Sequence, residues 1–279
     1  MPTVVPASAL LDRYDAFLLD AYGVLVDGSA PLPHAAAFVG ALGSAGKTRL
    51  LLSNDASRTR GQVHARLQGF GIDLAEDEIL TSGMMLAPWV RGRGLAGAPA
   101  VVLGPRGSHQ LAADAGLDRV APDDPAAEAV LVCDEAGFDF VPTLEAVLTM
   151  LITRTTRGLA TALVLPNPDV LYPKPAGAVG ITAGAAACIL ERGLAARFGA
   201  DAPTFERLGK PHAPIFEEAK RRVCGRALML GDQLETDVAG ALDADLDVAL
   251  VETGVGRRPH PDAPLQPTWV LESLRLDEV

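Results

Sequence analysis

Short apolar runs that end in a polar residue recur along this chain and constrain its fold more than any other feature. In the first of them, Phe17-Leu18-Leu19 leads directly into Asp20, and Gly23 follows in a turn. A short apolar run that ends at a glycine turn is typical of a strand buried in a parallel sheet. Ligands bind at the carboxyl ends of such strands, so Asp20 is predicted to lie at a functional edge. The alternative is that Asp20 only stabilises the turn that follows it.

Helical and strand-like segments alternate after this run, which predicts an α/β fold with a parallel sheet. A helix over 33–45 and a strand over 48–53 are predicted next, and the strand ends at Ser53. Equivalent ends of parallel strands meet at one edge of a sheet, so Asp20 and Ser53 are predicted to lie on the same edge. The alternative for Ser53 is an ordinary helix N-cap.

A second series of strand-like runs and helical segments fills the middle of the chain, from about residue 85 to residue 180. We expect this stretch to be a smaller α/β domain inserted into the first one. The predicted division is therefore a core formed by 1–84 and 181–279, with the insert at 85–180. A helix over 180–192 is expected to lead the chain back into the core.

Composition and charge exclude several classes of function. The net charge of −11 and the absence of a basic run argue against binding of nucleic acid. No apolar run reaches the ~18–20 residues that span a bilayer, and the first residues lack the pattern of a signal peptide. Three scattered cysteines form no pattern typical of a metal or redox site. These observations predict a cytoplasmic protein with no membrane partner.

Two further polar stretches lie in the last third of the sequence. Lys210 precedes a predicted helix, and the apolar run 227–230 leads through Gly231 into Asp232, with Asp237 shortly after it. Taken singly, a lysine in solvent and acids that favour the start of a helix explain these residues equally well. Their order along the chain carries more information than any one of them.

In that order, the four stretches resemble the motifs of the haloacid dehalogenase (HAD) superfamily. Those motifs are an Asp-led strand tip, a Ser or Thr, a Lys, and an acid pair with the pattern Gly-Asp-x-x-x-x-Asp. The segment Gly231-Asp232-Gln233-Leu234-Glu235-Thr236-Asp237 matches the last pattern in full. The resemblance implies a Rossmann-like doubly wound parallel sheet as the core of the fold.

The spacing of the motifs resembles that of subclass IIA, which includes p-nitrophenyl, phosphoglycolate and pyridoxal-phosphate phosphatases. Few residues separate Asp20 from Ser53, whereas the long stretch before Lys210 has room for the inserted α/β cap domain (type 2 cap) of that subclass. Asn167-Pro168-Asp169 and Glu252-Thr253-Gly254-Val255 also resemble segments of this branch. The resemblance implies a Mg²⁺-dependent hydrolase of small phosphate monoesters, with a small phosphorylated metabolite as its partner and a homodimer as its assembly.

The resemblance also implies which residues bind the metal. Asp20 would attack phosphorus and form an aspartyl-phosphate, which divides hydrolysis into two easier steps. Mg²⁺ suits the oxygens of carboxylates and phosphates, and its direct ligands would be Asp20, the backbone carbonyl of Tyr22, and Asp232. Asp237 would bind through water or hold the other ligands in place.

A second group of residues would bind the phosphoryl group. Lys210 would supply a fixed positive charge between the nucleophile and the phosphate, and Ser53 and the N–H of Asn54 would donate hydrogen bonds to phosphoryl oxygens. Arg58 and Lys174 are candidate substrate contacts. An exposed lysine in a loop is the alternative explanation of Lys174.

One position departs from the pattern of the superfamily's phosphatases, which carry a second Asp two residues after the first. Tyr22 occupies that position, and a phenol is a poor substitute for a carboxyl general acid. Asp20-Ala21-Tyr22-Gly23 instead resembles the first motif of the 2-haloacid dehalogenases, whose nucleophilic Asp needs no metal. Three functions therefore stay open: a weakened phosphatase, a dehalogenase-like hydrolase, and a regulatory protein that binds metal and phosphate without turnover. Asp55 is a candidate replacement acid, with a turn-forming Asp as the alternative.

Overall fold

The structure is a computed structural model that describes residues 3–173, 178–254 and 256–276. Its strands are β1 (Thr3–Val4), β2 (Ala16–Leu19), β3 (Thr48–Ser53), β4 (Ile79–Thr81), β5 (Pro99–Leu103), β6 (Asp118–Arg119), β7 (Ala129–Val132), β8 (Ala162–Leu165), β9 (Leu171–Pro173), β10 (Val179–Ile181), β11 (Glu206–Arg207), β12 (Ala227–Gly231), β13 (Asp247–Val251) and β14 (Trp269–Leu271). Its α-helices are α1 (Ser8–Leu11), α2 (Ala35–Ser44), α3 (Arg60–Gly69), α4 (Leu86–Arg93), α5 (Arg106–Asp114), α6 (Phe140–Thr156), α7 (Ala183–Phe198), α8 (Ala213–Arg222) and α9 (Ala239–Asp243). A π-helical turn over Leu234–Val238 precedes α9.

The chain divides into two compact units. The first comprises residues 1–53, 60–81 and 210–279, and the second comprises 54–59 and 82–209. The division near residue 84 lies close to the expected place, but the second boundary lies at 209 rather than at the predicted 180. The cause is α7, whose apolar face belongs to the core of the second unit, together with β11, which pairs with β8.

A seven-stranded sheet forms the centre of the first unit, in the order β1-β14-β13-β12-β2-β3-β4. All of its strand pairs are parallel, which confirms the predicted parallel α/β organisation. From β2 the chain continues to β3 and β4 on one side, and it later returns to β12 and β13 on the other. The point between β2 and β12 is therefore the place where strand order reverses, and ligands of such sheets bind there.

Burial explains why the run that ends at Asp20 forms a central strand. Every residue of β2 is fully buried, because neighbouring strands flank it and helices cover both faces of a parallel sheet. Phe17 lies in the core between Tyr14 and Phe38, with both ring pairs in an edge-to-face arrangement at centroid distances of 6.3 and 6.1 Å. This packing holds β2 rigidly at the switch point.

The second unit is built around a five-stranded parallel sheet in the order β11-β8-β7-β5-β6. The strands β9 and β10 pair in antiparallel orientation and form a separate two-stranded sheet. Helices α6 and α7 cover the larger sheet, with Leu151 and Leu190 among the fully buried residues of its core. The predicted α/β character of the middle of the chain is thus observed, although its residues extend beyond the predicted range. In the described ranges, no helix has the length and apolar character needed to cross a membrane.

Candidate active site

Asp20 lies immediately after β2, at the switch point of the seven-stranded sheet. Its backbone N–H donates to the carbonyl of Leu230 in β12 at 2.9 Å, which continues the pairing of the two strands. The side chain is almost completely buried, with 6 % relative exposure. Ser53, also buried, ends β3, the strand beside β2. The predicted placement of these two residues on one edge of the sheet is therefore observed.

Lys210 connects two acids that lie far apart in the sequence. Its ammonium donates to Oδ1 of Asp20 and to Oδ1 of Asp237, both at 2.6 Å. Lys210 is only 2 % exposed, so the alternative of a lysine in solvent is wrong. Hydrogen bonds between charged groups are stronger than neutral ones, and burial strengthens them further.

Asp232 and Asp237 complete an acidic cluster with Asp20. One carboxylate oxygen from each of the three residues lies within 4.8 Å of the others, and all three residues are buried. Oδ2 of Asp237 accepts the backbone N–H groups of Asp232 and Gln233, both at 3.1 Å. Because its other oxygen accepts from Lys210, Asp237 holds the turn and the lysine in place.

Two glycines give the side chain of Asp232 the space that it occupies. A Cβ on Gly254 would lie 2.0 Å from Oδ2 of Asp232, and a Cβ on Gly23 would lie 2.4 Å from its Cγ. Gly23 also has a φ of +83°, which strains any residue with a side chain. The hydroxyl of Thr253 donates to the carbonyl of Gly23 at 2.7 Å and so ties the two glycine segments together.

The electrostatics of the cluster favour a cation. Burial raises the pKa of Asp20 well above its usual range; Lys210 opposes this effect, whereas Asp237 and Asp232 add to it. Burial alone would lower the pKa of Lys210, but Asp20 and Asp237 raise it above its ordinary value, so the ammonium stays protonated. One buried positive charge therefore faces three acids. A divalent cation would balance this excess of negative charge.

The residues present fit a hard metal ion. Carboxylate oxygens are the ligands that Mg²⁺ and Ca²⁺ prefer, and a clustered set of them is found here, with two glycines leaving room for the carboxylate of Asp232. The structure thus contains a group of acids able to hold a metal ion. Which ion it binds, and whether the carbonyl of Tyr22 takes part, stay predictions.

The side chain of Tyr22 has a partner that the sequence did not reveal. Its phenolic oxygen accepts a hydrogen bond from Nη1 of Arg66 at 2.7 Å. The guanidinium lies 5.4 Å from the ring centroids of both Tyr22 and Phe70, and it also donates to the carbonyl of Gly28. The tyrosine that replaces the expected acid is thus held by an arginine from α3. No sequence signal marks this pair, since 44 positions separate its members.

Other predicted site residues have different surroundings. Asn54 follows Ser53 in the chain but belongs to the second unit, where its side chain bonds to Asp169. Arg58 forms an ion pair with Asp55 at 2.8 Å, and Oδ1 of Asp55 accepts from Ser57 and from the N–H of Arg58. These contacts support the turn-forming explanation of Asp55. Arg58 as a substrate contact stays a prediction, and Lys174 lies outside the described residues.

The fold and the site together define a class of protein, an α/β enzyme with an acidic centre at the switch point of a doubly wound parallel sheet. Two family models match this chain. One, described as haloacid dehalogenase-like hydrolase, matches residues 17–118, and the other, described as HAD-hydrolase-like, matches residues 207–276. The two matches include Asp20, Lys210 and the acid pair. The chain belongs to the haloacid dehalogenase-like hydrolases, as the order of its motifs predicted.

Known proteins that resemble the chain cover nearly all of it. It is 29 % identical to the 5'-nucleotidase YutF of Bacillus subtilis (strain 168), over 95 % of this chain and 97 % of that protein. A crystal structure described as a possible sugar phosphatase of the HAD superfamily, from Cytophaga hutchinsonii, has a TM-score of 0.84 and 25 % identity, and each chain is covered completely. The p-nitrophenyl phosphatase of Archaeoglobus fulgidus has a TM-score of 0.77 and 26 % identity, over 94 % of this chain and 97 % of that chain.

These comparisons confirm three predictions. The fold is the Rossmann-like HAD core with a second α/β unit, and the branch is the one that contains p-nitrophenyl phosphatases. The predicted class of enzyme, a phosphatase of the haloacid dehalogenase type, is confirmed as well.

Proposed function

We propose that this protein is a Mg²⁺-dependent hydrolase of small phosphate monoesters that works through an aspartyl-phosphate on Asp20. The observation that carries the proposal is the buried cluster in which Lys210 bonds to Asp20 and Asp237, with Asp232 beside them. Attack of an anionic carboxylate on an anionic phosphate requires positive charge beside the nucleophile. The ammonium of Lys210 and the neighbouring metal ligands provide for that charge.

The chain's own residues supply the two chemical steps. An oxygen of Asp20 forms a bond to phosphorus as the bond from phosphorus to the leaving oxygen breaks, and the leaving oxygen takes up a proton from water. A water molecule then attacks phosphorus, and the bond to Asp20 breaks to release inorganic phosphate. Lys210 stays protonated throughout and offsets the charge on the transferring group. Ser53 and the N–H of Asn54 donate to the phosphoryl oxygens and orient them.

Asp20 and Asp232 would hold Mg²⁺ with the carbonyl of Tyr22, and Asp237 would steady them. When bound, the ion neutralises charge between carboxylate and phosphate. Asp237 suits the supporting role, because its two oxygens already accept hydrogen bonds from Lys210 and from two backbone N–H groups.

Tyr22 sets the expected preference among substrates. The phenol stands where a carboxyl acid is expected, and its oxygen accepts a hydrogen bond from Arg66. Loss of a general acid typically lowers a rate by about 10²–10⁴-fold, and the loss matters least for leaving groups that need no proton. We therefore expect the protein to hydrolyse aryl phosphates faster than alkyl phosphates.

A dehalogenase-like hydrolase is the second candidate, and the observation in its favour is the tyrosine after Asp20. Displacement of halide needs no metal, and a three-carboxylate cluster has no part in it. A binding protein without turnover is the third candidate. The cluster of three carboxylates favours the phosphatase over the dehalogenase. Hydrolysis of a phosphate ester distinguishes the phosphatase from the binding protein.

The test is a panel of substrates with and without Mg²⁺. It includes p-nitrophenyl phosphate, sugar phosphates, nucleoside monophosphates and 2-chloropropionate, and Asp20→Asn is assayed beside the wild type. Release of phosphate that depends on both Mg²⁺ and Asp20 is the expected result. Release of chloride without metal would favour the dehalogenase, and binding of orthophosphate without hydrolysis of any ester would favour the binding protein.

A further inference from the structure

The segment Asn167-Pro168-Asp169 is joined to the residue beside Ser53. Nδ2 of Asn54 donates to Oδ1 of Asp169 at 2.9 Å, across 115 positions of sequence, and both residues belong to the second unit. A carboxylate can only accept hydrogen bonds, so this contact fixes which way the amide of Asn54 points. Asn54 itself is only 7 % exposed, and a buried amide with a charged partner has little freedom to turn.

Asp169 is itself held at several points. Its backbone N–H donates to Oδ1 of Asn167 at 3.1 Å. Its carbonyl accepts from the backbone N–H of Gly184 at 2.9 Å and also from the hydroxyl of Thr182. Thr182 and Gly184 lie at the start of α7, so a helix end anchors the carboxylate that holds Asn54. The acid is therefore a rigid support rather than a loose surface group.

The other side of Asn54 is closed by backbone. A Cβ on Gly209 would lie 2.5 Å from Oδ1 of Asn54 and 2.5 Å from the carbonyl oxygen of Pro166. The residue before Lys210 must therefore lack a side chain for the amide to lie where it does. Asn54 is held between a carboxylate on one side and a glycine on the other.

We propose that Asp169 is a positioning residue that holds Asn54 so that its N–H faces the phosphoryl group bound by Ser53. The proposal rests on the function proposed above, since it assigns a task to the N–H of Asn54. In this role Asp169 acts through the orientation of Asn54.

The test compares Asp169→Ala with Asp169→Asn in the full-length protein with Mg²⁺. Without the carboxylate, we expect KM and the inhibition constant for orthophosphate to rise together by about ten- to a hundredfold, as loss of a charged hydrogen bond implies, with a smaller change in kcat. Asparagine can present an oxygen to Asn54 and should retain most of the affinity. Asp124→Ala is the matched control, because Asp124 accepts a hydrogen bond from Ala126 in a turn of the same unit.

Two further variants, Asn54→Ala and the double variant that combines Asn54→Ala with Asp169→Ala, decide whether Asp169 acts through Asn54. The double variant should bind orthophosphate no more weakly than Asn54→Ala alone. Unchanged inhibition constants, losses that multiply, or a lower melting temperature with unaltered phosphate affinity would each overturn the proposal. If the wild type binds orthophosphate but hydrolyses no ester, only the proposed function fails, and the binding constants still test Asp169. A wild type that binds no orthophosphate overturns both.

Discussion

Lys210→Met removes an ammonium that two buried carboxylates share while keeping a side chain of similar length. Each of its hydrogen bonds is 2.6 Å long, and Lys210, Asp20 and Asp237 are all nearly inaccessible to water. A hydrogen bond to a charged group contributes about 1.5–3 kcal/mol, so two of them contribute about 3–6 kcal/mol. Removal of one member of a buried ion pair typically costs about 3–5 kcal/mol, because the remaining charge stays buried. We therefore expect Lys210→Met to lower the free energy of unfolding of the metal-free protein by about 3–5 kcal/mol.

The assay is the melting temperature in EDTA and again in saturating Mg²⁺. A loss of about 3–5 kcal/mol corresponds to at least about 6 °C for a chain of this size. Lys220→Met is the control, since Lys220 is exposed and its ammonium donates to the backbone carbonyl of Ala244 rather than to a carboxylate. In Mg²⁺ the difference between Lys210→Met and the wild type should shrink, because the ion supplies positive charge to the same acids. Equal melting temperatures for the two lysine variants in EDTA would refute this reasoning.

Three more predictions concern the same cluster. Gly254→Ala should weaken the stabilisation of the protein by Mg²⁺ severalfold or abolish it, because the new Cβ would displace the carboxylate of Asp232. Gly40→Ala is the control, because a Cβ on Gly40 would meet nothing within 4 Å. Equal responses of the two variants in a thermal-shift titration with Mg²⁺ would contradict this prediction. In metal-free protein the raised pKa of Asp20 means that the native state binds its proton more tightly than the unfolded state. The free energy of unfolding should therefore fall as pH rises from about 4 toward that raised pKa, and it should fall less steeply in Asp20→Asn. Unfolding measurements that give parallel pH curves for the two proteins would count against this prediction. Tyr22→Asp should raise turnover of alkyl phosphates by about tenfold or more relative to aryl phosphates, and an unchanged ratio would show that position 22 is not the missing acid.

The sequence could predict the central part of the site because each of its residues ends an apolar run or a tight turn. β2 and β12 are fully buried, so their composition alone identifies them as strands of a parallel sheet. Once the strands are placed, parallel pairing puts Asp20, Ser53 and Asp232 on one edge. The sequence left a solvent-exposed Lys210 open, and only the structure shows that the lysine is buried and paired with two carboxylates.

The second boundary between the units was beyond what periodicity can show. The repeat of apolar residues in α7 indicates that one face of the helix is buried, but it does not indicate which sheet buries it. Ala186, Leu190 and Leu194 would suit either core, and the structure places them in the second unit. The helix also runs to Phe198, beyond the predicted end at 192.

The contacts of Tyr22 with Arg66 and of Asn54 with Asp169 were also beyond prediction. Both pairs join polar side chains from distant segments, and neither leaves a periodic trace. A short polar motif such as Asn-Pro-Asp indicates a turn, and only the folded chain shows what its last carboxylate holds. Side-chain partners of this kind depend on the packing of whole elements.

The two glycines around Asp232 limit how this site can change over many generations. Gly23 and Gly254 carry no chemistry, yet the carboxylate occupies the volume that their side chains would fill. A single substitution at position 22 can change the side chain available to the leaving group, because that side chain lies partly exposed. A substitution that adds a side chain at either glycine displaces the carboxylate of Asp232. Reaction preference at this edge can therefore change, whereas the position of the Asp232 carboxylate is inherited unchanged.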